Sequence, residues 1–198
     1  MHDKKANRSE LLMSLTYPIA TERLFLRPYQ MTDLDDMHAF YSREDVARYL
    51  YTDAQNRETC HKTLQQKIAQ NHLSEEKDKL VLAVELRNEN KVIGEVLLIW
   101  KSKQHRTAEI GYIFHPEHQG LGYASEAATA LLKLGFETFN FHRIFARCDA
   151  RNTGSFQLME RLGMRREAHL IQNEFIKGEW TDELEYAILR EEWERKQK

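Results

Sequence analysis

The chain has 198 residues, 41% hydrophobic and 30% charged, a length and composition that suit one globular domain with a substantial core. A formal net charge of -2 and a pI near 6.5 argue against a broad basic footprint, so nucleic acid is not an expected direct partner, although a basic peptide stays open. The most apolar run, Val92 to Trp100, carries Glu95 and is too short to cross a bilayer; Cys60 and Cys148 form no CxxC pair, and the chain reads as cytoplasmic.

Residues 1 to about 17 read as a polar arm, expected to be mobile. One domain is expected over 18–190, with 191–198 as a charged tail. Leu24 to Arg27 reads as a first strand, after which Thr32 or Asp33 caps a helix whose acids Asp33, Asp35 and Asp36 suit its N-terminal dipole. More helix is expected over 45–50 and about 58–73. Leu80 to Leu86 and Lys91 to Trp100 then read as strands of a hairpin, and Ala108 to Phe114 continues the sheet.

The helix predicted over 125–139 has Ala128, Leu131, Leu132, Gly135 and Phe139 on one apolar stripe. Because it follows a strand and precedes another, Arg143 to Asp149, it implies a parallel crossover. Asn152 opens a further helix that stops at Gly163, and strands over 167–176 and 179–189 flank a turn at Lys177-Gly178. The expected fold is α/β (α+β): a mixed, mostly antiparallel twisted sheet of about seven strands, flanked by helices, with one parallel crossover.

The stretch His115 to Ala124, HPEHQGLGYA, places Gly120, Gly122 and Ala124 between a strand and a helix N-terminus. Small residues there let backbone N–H groups approach an anion, and the helix adds unpaired N–H groups and the positive end of its dipole. A pyrophosphate would suit it. No Gly-Lys-Ser/Thr ending follows Gly122, and Ser125 stands where a dinucleotide loop needs its third glycine.

What remains, Gln119-x-x-Gly122-x-Ala124, resembles the coenzyme A pyrophosphate loop of the GNAT superfamily of N-acetyltransferases. TERLFLRPY (Thr21 to Tyr29), the loop with Ser125-Glu126-Ala127, and NTGSFQLMERLGM (Asn152 to Met164) are together similar to its RimJ/RimL-like branch of ribosomal-protein N-terminal acetyltransferases. The resemblance implies a GNAT-like sheet and acetyl-CoA as cosubstrate. It implies cofactor contacts from Ile113, Phe114, His115, Gln119, Gly120, Leu121, Gly122, Tyr123, Ala124, Ser125, Asn152 and Ser155.

Acetyl transfer from a thioester needs a neutral amine, a stabilised oxyanion and a proton for the leaving thiolate. Glu109 shares a strand face with Gly111 and Ile113 and is one candidate base, against a cross-strand ion pair, for example with Arg106. Glu174, before the closing turn, is the other; the resemblance places a proton-accepting glutamate there. The resemblance puts Ser155 near the sulfur, which makes it the expected proton donor; many GNAT enzymes use a tyrosine further along this helix, but Phe156, Leu158 and Met159 offer no hydroxyl, which shifts the role to Ser155 or to water. Cys148 alternates with Ile144 and Ala146 and reads as inert core; His115 and His118 read as a surface loop, and no metal is expected.

The expected function is N-acetylation of a primary amine, foremost the N-terminal α-amine of a protein such as a ribosomal protein, by direct attack in a ternary complex. Polyamines or aminoglycosides as acceptors, and a non-catalytic acyl-CoA-binding module, are the alternatives. No membrane partner is expected, and the chain is read as a monomer or homodimer.

Overall fold

The computed structural model describes residues 15–197. Most of the expected N-terminal arm, residues 1–14, lies outside them. Eight strands form one sheet in the order β1-β2-β3-β4-β5-β6-β8-β7. They are β1 (Ile19–Ala20), β2 (Leu24–Arg27), β3 (Lys79–Leu86), β4 (Lys91–Ser102), β5 (Thr107–Phe114), β6 (Arg143–Asp149), β7 (Arg165–Ile176) and β8 (Glu179–Leu189). The strand beyond the expected seven is β1. Two residues carry no alternation to read, and only the pairing of Ile19 with Leu26 and Ala20 with Phe25 makes them a strand.

Only β5 and β6 run parallel, and they pair briefly: Thr107, Ala108 and Glu109 face Arg143, Ile144 and Phe145. Beyond those residues each strand continues without pairing to the other, which opens a wedge in the middle of the sheet. The crossover between them is α4 (Tyr123–Lys133), which runs on into a π-helical turn over Leu134–Thr138. Gly135 keeps that turn close to β6: a Cβ would stand 2.6 Å from Ile144 Cδ1 and oblige that side chain to move.

Helices α4, α5 (Thr153–Arg161) and α6 (Arg190–Lys196) cover one face, burying Leu131, Leu132, Leu158, Met159 and Trp193 against Leu82, Leu98 and Ile144. On the other face α1 (Leu34–Tyr41) and α3 (Arg57–Ala69) bury Met37, Phe40 and Leu64 against Val81, Ala83 and Val92. Central β3 is therefore buried on both sides after Lys79. The short α2 (Glu44–Ala47) sits between α1 and α3 in the chain.

Two expectations change. The charged stretch after Leu189 is helix α6, because Trp193 docks against Phe136, ring centroids 5.9 Å apart, and the buried indole outweighs the polar residues around it. Asp33 is more than a helix-start acid: it is 5% exposed and grips Arg27, whose guanidinium also meets Glu85.

A second buried charge lies under α3. Glu95 is wholly inaccessible, and its carboxylate accepts from Lys67 Nζ at 2.7 Å, Tyr41 Oη at 2.9 Å and Tyr29 Oη at 3.0 Å. Burial, with the Glu95 charge next in size, raises both phenols well above their ordinary range, so they stay protonated donors.

Candidate functional site

Two clefts meet at the wedge between β5 and β6. The first, of about 720 Å³, is lined by Ile113, Phe114, Gln119, Gly120, Gly122, Ala124 and Ser125 on one side and by Asn152, Gly154, Ser155 and Arg161 on the other. Gly120 and Gly122 take left-handed φ values of 75° and 84°, a conformation side chains resist, and this turns the loop tightly into α4. A Cβ on Gly120 would meet nothing within 4 Å, so backbone conformation rather than crowding explains that glycine.

The first helical bond of α4 runs from Glu126 N–H to Gly122 O, which leaves the N–H groups of Tyr123, Ala124 and Ser125 outside helical pairing. That end has the donors an anionic group such as pyrophosphate needs. The loop is braced from outside: Arg23 donates to Leu121 O at 2.9 Å, bonds Glu126 at 2.7 Å and lies over the Tyr123 ring at 4.5 Å. Although burial alone would raise it, hydrogen bonds from Thr21 and Arg23 hold the Glu126 carboxyl below its ordinary range.

Not every residue expected along the cofactor points into this cleft. The Leu121 side chain is 54% exposed, Tyr123 stacks under Arg23, and the nearly buried His115 uses Nδ1 to accept from Glu117 N–H at 3.2 Å. Burial holds the His115 imidazole below its usual value, hence neutral at pH 7. His118 lines the cleft instead. Among the described residues no His, Cys, Asp and Glu cluster could hold a metal ion.

At the junction, Asn152 caps α5 through its side-chain oxygen, which accepts from Ser155 N–H at 3.2 Å. Tyr112 Oη lies 3.0 Å from the Ser155 carbonyl and 3.1 Å from its Oγ. With the phenol proton on the carbonyl, the serine hydroxyl donates to the phenol oxygen. Burial raises the Tyr112 hydroxyl above its ordinary value, so it remains a neutral partner. Cys148 also lines this junction rather than closed core, because β6 has left β5 there, yet burial pushes its thiol up to about 11. It stays a thiol at neutral pH, and the expectation of an inert cysteine agrees with that.

The second cleft, about 680 Å³, lies on the α1 and α3 face and shares Tyr49, Leu50, Tyr112, Ile113, Asn152 and Ser155 with the first. Glu109, Gly111, Lys101 and Arg147 also line it. Glu109 is paired on both oxygens, with Lys101 Nζ and Arg147 Nε each at 3.1 Å, rather than with Arg106. Arg147 continues to Glu183 at 3.2 Å and to Glu174 at 3.9 Å. Burial is the main cause that pushes the Glu183 carboxyl up, only partly offset by Arg147. Lys177, at the hairpin tip, donates to Ala47 O at 2.6 Å, which ties the turn between β7 and β8 to the end of α2.

Sequence reasoning passed over Tyr112, Tyr49, Arg147 and Glu183. Tyr112 alternates with apolar Ile110 and Phe114 and so reads as core, whereas the other three become neighbours only when distant elements meet.

A family model described as an acetyltransferase (GNAT) domain matches residues 23–165. The chain is 35% identical to an uncharacterized N-acetyltransferase, YnaD, of Bacillus subtilis (strain 168), over 88% of this chain and 98% of that protein. It is 26% identical to the spermidine N(1)-acetyltransferase of Escherichia coli (strain K12), over 85% and 87%. A GNAT-family acetyltransferase structure from Bacillus anthracis superposes with a TM-score of 0.79 at 35% identity, covering 87% of this chain and 98% of that one. The spermidine N-acetyltransferase of Vibrio cholerae, solved with CoA and spermine, gives 0.73 at 26%, covering 87% and 99%. The crossover loop, the split between β5 and β6 and these likenesses converge: the chain belongs to the GNAT family of N-acetyltransferases, which use acetyl-CoA as acyl donor.

Proposed function

We propose that the Gln119–Ser125 backbone holds the pyrophosphate of acetyl-CoA, that the thioester lies at the wedge beside Ile113, and that a small primary amine enters through the second cleft. The observation that carries this is the shared wall of the two clefts, Tyr112, Ile113, Asn152 and Ser155. An amine and a thioester meeting there need no covalent enzyme intermediate. The amine nitrogen bonds the acetyl carbon, the carbon–sulfur bond breaks, the surplus amine proton passes to Glu109, and the Ser155 hydroxyl, turned from Tyr112 to the sulfur, gives its proton to the thiolate and regains one from solvent. The N-terminus of a ribosomal protein, implied by the RimJ/RimL resemblance, would have to enter the same cleft; the relatives named for spermidine favour the small amine.

A thiol-release assay with acetyl-CoA and a panel of small amines and peptide N-termini tests the reading. Acceptor-dependent release with small amines is the expected result; release with peptides alone would return the acceptor to a protein terminus. Two variants refine it.

Gly122→Val should weaken acetyl-CoA binding about tenfold or more in calorimetry while the domain stays folded. A branched side chain at φ 84° is strained, so the turn should relax away from the left-handed conformation that aims its N–H groups, and its Cβ would also press on Arg23 Nη2 at 3.2 Å. Ser155→Ala should lower turnover by roughly tenfold to a thousandfold with little change in cofactor affinity, in and below the lower half of the roughly hundredfold to ten-thousandfold that general acids contribute, because water can replace the hydroxyl. Tyr112→Phe should cost less, because the phenol only orients the serine. Equal losses of binding and rate would make Ser155 a positioning residue.

A further inference from the structure

The acceptor end of the second cleft carries charges that the transfer step does not use. Lys77, Lys79, Lys101 and Arg147 line it, and Glu109 is the one carboxylate among the lining residues. Lys101 and Arg147 are already engaged with Glu109, and Arg147 also with Glu183 and Glu174. Among the described residues Lys77 and Lys79 make no ion pair. Asp78, between them in the chain, turns its carboxylate back onto Ser74 and the Glu75 N–H, and Glu76 accepts from the Lys103 N–H.

The two free ammonium groups leave from fixed backbone. Lys77 is held at φ 76° with its N–H on Trp100 O at 2.8 Å, and Lys79 is paired with Ile99 in the sheet. The cleft is thus polarised: carboxylates gather around Arg147 near the hairpin, and unpaired lysines stand at the open end of β3. A linear polyamine lying along it would bring its second cation to Lys77 and Lys79, where like charges repel.

Resting on the acetyl-transfer reading above, we infer that the acceptor is a small amine that also carries an anionic group, a carboxylate or a phosphate. Its amine faces Glu109 and its anion faces Lys77 and Lys79. Such a molecule compensates the lysines and leaves the carboxylate cluster to the nitrogen.

The test measures kcat/KM in the thiol-release assay for matched acceptors: β-alanine against β-alaninamide, phosphoethanolamine against ethanolamine, and spermidine and cadaverine as cationic references. The expected result is a preference of about tenfold or more for the anionic member of at least one pair over its neutral partner, expressed in KM and shrinking with added salt. Which pair shows it distinguishes carboxylate from phosphate. In Lys77→Asn/Lys79→Glu that preference should fall to near parity or reverse; Asn tolerates the left-handed backbone at position 77. Faster reaction of the amides or polyamines in the unmodified protein would overturn the anionic acceptor and leave acetyl transfer standing. So would an unchanged preference in the double variant. Absence of acceptor-dependent release with every amine would overturn both readings.

Discussion

Glu109→Gln is expected to lower kcat/KM by roughly a hundredfold to ten-thousandfold, the usual contribution of a positioned proton acceptor. The loss should be greatest at the acid end of the profile. There the amine is held as ammonium and must give up a proton before it can attack; at alkaline pH solvent does this, and the variant should approach the unmodified enzyme. Acetyl-CoA affinity should change little, because Glu109 lines only the second cleft.

Glu174→Gln should cost less. Its carboxylate is 3.9 Å from Arg147 and does not line the cleft, so it acts on the acceptor only through its neighbours. A pH–rate profile of both variants decides between them. If Glu174→Gln shows the acid-side loss and Glu109→Gln does not, the roles exchange, and the two ion pairs of Glu109 become its whole function. Full activity in both would pass proton removal to water or to Glu183.

Lys67→Met is expected to destabilise the fold by about 3–5 kcal/mol, the cost of leaving a buried charge without its counter-ion. Glu95 is 0% exposed, and once Lys67 is gone it keeps only the two phenol donors, Tyr29 and Tyr41. The double variant Lys67→Met/Glu95→Leu should recover much of the loss, since a hydrophobic pair avoids the desolvation that both charges bear. Chemical denaturation followed by circular dichroism measures both. A single-variant loss under about 1 kcal/mol would mean that the phenols and local rearrangement already satisfy the carboxylate.

The same glutamate shows how far residue order alone can reach. Within Val92 to Trp100 it marks a run that does not suit a bilayer core; that its neighbours would be Lys67, Tyr41 and Tyr29 follows only from the packing of α1 and α3 on β4. Trp193 lies at the other end of the same scale. A charged stretch reads as a solvated tail, and one indole with a matching surface at Phe136 makes it a docked helix.

Local chemistry made the rest legible. The strand alternation, the Gly163 and Lys177-Gly178 stops, the Asn152 cap and the glycines at 120 and 122 each act within a few residues, so sequence by itself determined the order of the seven longer strands, the parallel crossover and the glycine turn that leads into α4. Tertiary structure decided what those elements meet. The early end of β5–β6 pairing brings Tyr112 to Ser155, and Arg147 gathers Glu109, Glu174 and Glu183 from three strands. Charges this far apart in the chain acquire a common environment only when the sheet closes, because electrostatic and hydrogen-bonding partners depend on distance in space and no local propensity encodes it.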